Sequence, residues 1–306
     1  MGAFILRRMW QGLLVVLGVT LTVFVVTRLF TDPVALMLPL SASDGQRAAF
    51  AAQIGLDQPV PLQFLWFLGD LATLDFGQSL WQRRPAIEVV FERLPNTLML
   101  IGAGLGFAMV LALPLGMVAA LRPGGIVDRV TVSLGLLALS MPQFWVGLLL
   151  ILIFAVQLKV LPTSGMGSPA HIILPALTLA LSPLARLTML VRSSMIDELN
   201  QQYVKTARSK GLGFRRILGV HALRNILISF LTLSGWELIS TLAGYTVVVE
   251  TVFAWPGLGL TAIQAIQRGD LFLMQAIVFS IALLIVIINL TLDIVFKLID
   301  PRIRLN

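Results

Sequence analysis

Charged residues make up only 12% of this 306-residue chain, yet Arg186, Glu237 and Asp293 lie within or near the ends of long apolar runs. Charges at membrane depth are costly and usually face a bundle interior or water. Arg186 and Asp293 fall toward the ends of their runs and read as structural pairing or snorkelling. Glu237 lies twelve residues into its run. Two readings stand for it: a group lining a translocation path, or a buried hydrogen bond between helices. Ser140, Met141, Pro142 and Gln143 interrupt another apolar run with polar groups and a proline. Proline kinks are often structural, but this one could shape a gate. Ser140, Met141 and Gln143 therefore join Glu237 as candidate path residues.

The segment Tyr203–Arg224 carries Lys205, Arg208, Lys210, Arg215, Arg216 and Arg224 and no acidic residue. Val204, Ala207, Phe214, Ile217 and Leu218 recur at roughly helical spacing, and Gly211 and Gly213 break the pattern. That predicts two short amphipathic helices with a glycine joint. A positive loop attracted to anionic lipid is the plain reading, but a lipid tether needs no glycine-jointed apolar face. The pattern suits a lever that another protein grips.

Several chemistries drop out. The chain has no cysteine, which removes disulfides, thiolate metal sites and thiol catalysis. It has no Gly-x-x-x-x-Gly-Lys-Ser/Thr phosphate loop, so it is not expected to hydrolyse ATP. His171 stands alone at a helix start and reads as structural, because a metal site needs several ligands; no metal site is expected. The basic residues are split among loops with no aromatic stacking platform, which argues against nucleic acid.

The elements that position these residues are membrane spans. Hydrophobic residues reach 58% and mean hydropathy is +0.93. Spans need about 20 apolar residues each. Six runs qualify: Met9–Thr27, Leu94–Leu121, Val130–Leu158, Ile172–Val191, Ile226–Val249 and Leu271–Leu298. All should be helices, since a lone strand would leave its backbone unsatisfied in lipid. The first is longer than a signal-peptide core and lacks a small-x-small cleavage site, so it is expected to be retained. With the N-terminus cytoplasmic, 14 of the 22 Lys and Arg fall inside and 6 outside, with Arg28 and Arg186 in or at the edge of spans. The expected fold is an all-α polytopic membrane protein of six transmembrane helices, both termini cytoplasmic, as a single transmembrane domain over 1–306. Residues 31–93 should form a small extracytoplasmic cap with turns at Asp32-Pro33 and a short helix over Gln63–Leu74. That cap either shields helix ends or offers a docking surface. In the outer segment Glu250–Asp270, Trp255-Pro256-Gly257 is a turn and Thr261–Gln267 a short helix. Phe253 and Trp255 suit a membrane interface.

Tyr203-Val204-x-Thr206-Ala207-Arg208-x-Lys210-Gly211, followed by His221-Ala222-Leu223-Arg224-Asn225, resembles the cytoplasmic EAA loop of ABC-importer permeases. Only Ala207, Gly211 and Leu223 match the general pattern; the departures resemble those of the dipeptide, oligopeptide and nickel branch. Other matches run in order along nearly the whole chain: Gly55-Leu56-Asp57-Gln58-Pro59, Asp75-Phe76-Gly77-x-Ser79, Arg93-Leu94-Pro95-x-Thr97-Leu98, Leu161-Pro162-Thr163-Ser164-Gly165 and Ile173-Leu174-Pro175-Ala176. Val249-Glu250-Thr251-Val252-Phe253-x-Trp255-Pro256-Gly257-Leu258-Gly259 and the ending Asp300-Pro301-Arg302-Ile303-Arg304 complete the set.

The resemblance implies one of two transmembrane subunits of a bacterial inner-membrane importer. Its partners would be a second homologous permease, two ATPase subunits that bind ATP and Mg, and an extracytoplasmic solute-binding protein, with no cofactor in this chain. Segment 203–224 would be the coupling loop, with Tyr203, Ala207, Arg208, Lys210, Gly211, Phe214, Arg215 and Leu223 facing an ATPase subunit. Exposed charge pairs there contribute only about 0–1 kcal/mol each, so the apolar stripe and Gly211 should carry the fit. Asp57, Trp255, Pro256 and Gly257 are the candidate binding-protein contacts. The cargo is expected to be a dipeptide or oligopeptide, or nickel or a metal chelate; the short third outer connection, Gln157–His171, fits either. The alternatives are a stand-alone secondary transporter or channel, and a membrane scaffold without a transport role.

Overall fold

The computed structural model describes residues 2–29, 34, 38, 41–53 and 55–299. The Asp32-Pro33 turn and the Asp300–Arg304 ending lie outside them. The described chain is helical, and its only strand-like pairing is an isolated bridge between Gln78 and Pro85. In chain order the helices are α1 (Gly2–Leu29), α2 (Asp44–Gln53), α3 (Val60–Thr73), α4 (Ala86–Ala120), α5 (Ile126–Ser140), α6 (Gln143–Leu150), α7 (Ile173–Leu199) and α8 (Gln202–Ser209). The continuous helical run α9 (Phe214–Val252), α10 (Leu258–Gln267) and α11 (Leu271–Ile299) follow.

Among the described residues, five helices are long and apolar enough to cross a membrane: α1, α4, α7, α9 and α11. The third predicted span is not one straight helix. Pro142 lacks an N–H and disfavours helical backbone at the residue before it. Met141 is accordingly extended (φ −87°, ψ 132°), and α5 and α6 meet at 105°. The pair makes a sixth crossing if it spans as one broken element. Boundaries shift elsewhere too. The second span begins at Ala86 rather than Leu94, so the cap segment ends in the first turns of α4. The fourth runs to Leu199, which places Arg186 at its middle rather than near its end.

The chain forms two compact units. The first comprises residues 1–97 and 256–287. Here α3 docks on α1 through the rings of Phe64 and Phe67, 5.2 and 5.5 Å from buried Phe24. A core of Phe76, Val89, Val90, Leu258, Leu273 and Ile277 fills the interior.

The second unit comprises residues 98–255 and 288–306. Its centre is the antiparallel pair α7 and α9. Leu187, Val191 and Met195 recur every four residues on α7, and Ala222, Ile226 and Phe230 do so on α9. Two facing stripes of period four give one apolar seam. α4 closes against α7 where Gly116 leaves no room for a side chain: a Cβ there would lie 2.7 Å from the Thr188 carbonyl oxygen. Small residues permit such close helix approach in membranes.

Candidate functional site

The hairpin between α7 and α9 is built by its glycines. Lys210 is the C-cap of α8, and Gly211 adopts a positive φ of 78°. Leu212 N–H then donates to the Ala207 carbonyl (3.1 Å) and Gly211 N–H to the Arg208 carbonyl (2.9 Å). Those two bonds define a Schellman cap, which favours glycine at the left-handed position. No atom lies within 4 Å of a Cβ placed on Gly211. Within this chain the residue is needed for its backbone angle, not for space.

The apolar stripe serves the hairpin itself. Val204, Ala207 and Ile217 are buried against one another with Leu212 beside them. This corrects the expectation that the stripe fits an external socket: a hairpin this small needs it as a core. Leu223 is likewise half-buried against the α7–α9 seam. Arg208, Lys210, Gly211, Arg215 and Phe214 are exposed. The Arg208 guanidinium lies 5.5 Å from the centre of the Phe214 ring, a cation–π pair on that exposed face.

Tyr203 has a different task. Its hydroxyl donates to Glu198 Oε2 at 2.5 Å. Asn225 Nδ2 donates to the same carboxylate oxygen at 3.0 Å and lies 3.4 Å from the Tyr203 oxygen. Burial, and then the Glu198 carboxylate accepting its proton, push the Tyr203 hydroxyl up to about 12, so it stays protonated as a donor.

At mid-height, Arg186 and Glu237 form a two-point ion pair between α7 and α9, Nε to Oε1 at 2.5 Å and Nη2 to Oε2 at 2.9 Å. Glu237 is 1% exposed, whereas the Arg186 side chain is 33% exposed. The Tyr245 ring lies 6.0 Å away, beyond a π turn at Thr241–Tyr245. The structure thus places Glu237 in an interhelical ion pair. Of the other candidate path residues, Met141 lines a half-open apolar cavity of about 620 Å³ with Ile126, Val130, Leu134 and Leu184. Ser140 returns its hydroxyl to the Leu136 carbonyl. Gln143 opens α6 with its amide buried and without a hydrogen-bond partner among the described residues.

The Trp255-Pro256-Gly257 corner is structural. Trp255 is 1% exposed, and Phe253 and Gly257 are also buried. This corrects both the interfacial placement of the aromatics and the use of Trp255 and Gly257 as partner contacts, because buried groups present no docking surface. Within the first unit, Asn96 Nδ2 donates to the Pro256 carbonyl (2.8 Å), and Leu258 N–H donates to Thr97 Oγ1 (2.8 Å). The Arg-Leu-Pro-x-Thr motif therefore caps α10. In the same unit, Asp270 accepts from the Ser79 hydroxyl (2.5 Å), Trp81 N–H (3.2 Å) and Leu273 N–H (3.1 Å). In the second unit, Gly165 N–H donates to the Phe253 carbonyl at 2.8 Å. Asp57 alone of the docking candidates is exposed, and Gln58 Nε2 donates to its carboxylate.

Asp128 escaped the sequence reading. It is buried, accepts from Gly124 N–H at 2.7 Å, and takes a two-point ion pair from Arg192. The available signal was an acid following Gly124-Gly125 at the start of an apolar helix.

Helices of this length and polarity define a polytopic membrane protein. Residues 112–305 match the family of binding-protein-dependent transport system inner membrane components. The chain is 36% identical to an oligopeptide transport system permease protein, AppB, of Bacillus subtilis, over 99% of this chain and 100% of that protein. It is 38% identical to a di/tripeptide transport system permease protein, DppB, of Pseudomonas aeruginosa (99% and 98% covered) and 34% identical to a dipeptide transport system permease protein of Escherichia coli K12 (98% of each). An inward-facing structure of the MetNI methionine ABC transporter shares the fold, with a TM-score of 0.58 at 20% identity over 69% of this chain and 96% of that one. The chain belongs to the binding-protein-dependent transport permease family and is a multi-pass inner-membrane component.

Proposed function

We propose that this chain is one of two permease subunits of an ATP-driven importer of small peptides. The full-length relatives support peptide cargo, since the three above are named for oligopeptides, di/tripeptides and dipeptides. The observation that carries the mechanism is the glycine-capped hairpin with exposed Arg208, Lys210, Phe214 and Arg215. The excess of cations on its side of the membrane favours a cytoplasmic position. There it docks on one of two ATPase subunits, which bind ATP and Mg. The chain itself is not catalytic and holds no cofactor. ATPase closure moves the hairpin and reorients α7 and α9, giving alternating access, while a solute-binding protein delivers peptide from outside. Exposed Asp57 lies in the cap that would receive it.

Reconstitution tests this reading. The four-subunit complex with its binding protein should take up labelled di- and tripeptides only with ATP, and unlabelled peptide but not chelated nickel should compete. Ion-driven uptake by this chain alone would instead establish a secondary transporter.

A further inference from the structure

Two polar ties join α7 to α9, and their spacing is equal. Arg186 and Glu198 are twelve residues apart on α7; Asn225 and Glu237 are twelve apart on α9. At 1.5 Å per residue each interval spans about 18 Å. Pro183 and both π turns of α9 lie outside the two intervals, so each is regular α-helix. Between the ties lies the apolar seam of Leu187, Val191 and Met195 with Ile226 and Phe230. The pair is thus a rectangular frame with a rung at each end. The mid-height rung is the Arg186–Glu237 ion pair. The other rung is Glu198–Asn225, and Tyr203 of the hairpin bonds into it.

We propose that Tyr203 is the positioning residue that fastens the coupling hairpin to this frame, so that hairpin motion reaches the Arg186–Glu237 level without loss. This rests on the coupling role assigned above. Tyr203 on this view acts inside the chain and does not contact the ATPase. Three features support it. The bond is charge-assisted, a class roughly twice as strong as neutral hydrogen bonds. A single carboxylate oxygen gathers donors from α8 and α9 while belonging to α7. The apolar core of the hairpin is separate from the seam, so among the described residues this carboxylate is a polar joint between two apolar clusters.

Two measurements test the fastening, one on the chain alone. Nitroxides at Ser209 and Ser193, both exposed, report the hairpin–α7 distance by pulsed electron spin resonance in nanodiscs. The unmodified tyrosine should give one narrow distribution. Tyr203→Phe and Asn225→Ala should broaden it, and Glu198→Gln, which keeps an acceptor but not its charge, should broaden it less. In the reconstituted complex, Tyr203→Phe should keep ATP hydrolysis and ATPase binding while uptake per ATP falls roughly fivefold or more, the scale set by one hydrogen bond; Glu198→Gln, with Tyr203 in place, should lose less. A narrow distribution in Tyr203→Phe overturns the fastening, as does loss of the ATPase subunit from that variant. The distance measurement needs no partner, so failure of the importer reading would show separately, as absent ATP-dependent uptake in the wild type.

Discussion

The Arg186–Glu237 pair predicts unequal costs for its two halves. Replacing Arg186 with alanine leaves a carboxylate that is 1% exposed without its partner. Breaking a buried pair in this way costs about 3–5 kcal/mol in soluble proteins. The membrane reference state also finds partners for polar groups, so about 3 kcal/mol is expected here. Replacing Glu237 with alanine leaves a guanidinium whose side chain is 33% exposed. Its long stem can carry the charge to more polar surroundings, so about 1 kcal/mol is expected. The double variant Arg186→Met/Glu237→Leu removes both desolvation costs and should recover most of the loss, as apolar replacements of buried pairs often do. Sodium dodecyl sulfate titration in mixed micelles, followed by the fluorescence of the six tryptophans, gives the three free energies. Equal losses for the two single variants would refute the exposure argument. A double variant as unstable as the sum of the singles would show that the charges are not coupled.

The remaining predictions concern backbone and packing. Gly211→Asn should fold and couple nearly as well as wild type, since asparagine tolerates the left-handed region, whereas Gly211→Val should lose about 1–2 kcal/mol and expose the Lys210–Gly213 joint to limited proteolysis. Thr97→Val should lower the thermal midpoint by leaving Leu258 N–H unpaired, a cost of about 1–3 kcal/mol, and Thr97→Ser should restore it. Gly116→Leu should cost more than about 2 kcal/mol and be visible as loss of monodisperse protein on size-exclusion chromatography, because α7 backbone occupies the space. Asp128→Asn should weaken the α5–α7 tie to Arg192 and raise hydrogen exchange over Arg122–Asp128, where Gly124 N–H loses its charged acceptor.

Much of this was legible in the sequence because hydropathy reports length and depth directly. Five of the six apolar runs correspond to long helices, and Gly211 announced the joint. What hydropathy cannot report is direction. The stripe Val204, Ala207 and Ile217 has the period of an amphipathic helix whether it faces a partner or the other arm of its own hairpin. Trp255 reads as interfacial by type, but burial is decided by long-range packing that composition does not encode. The 105° bend at Pro142 was signalled by the proline; its magnitude depends on where α6 packs. Asp128 was hidden because its ion-pair partner, Arg192, lies 64 residues away on another helix.

These corrections move the search for partner contacts. The motifs Asp-Phe-Gly-x-Ser, Arg-Leu-Pro-x-Thr and Trp-Pro-Gly-Leu-Gly spend polar groups on one another and on helix starts within this chain. A group already bonded and buried has little left to offer a second protein. In the hairpin Ala207 is buried, and the Tyr203 hydroxyl is already bonded to Glu198. Contacts with other subunits should therefore be sought among exposed residues: Asp57 in the 31–93 segment, and Arg208, Lys210, Phe214 and Arg215 in the hairpin. Substitution at Arg215 should weaken ATPase capture without lowering the stability of the chain, whereas substitution at Ala207 should do the reverse. Co-purification and thermal unfolding on the same pair of variants separate the two effects. An Arg215 variant that unfolds early but captures normally would place that cation in the fold instead.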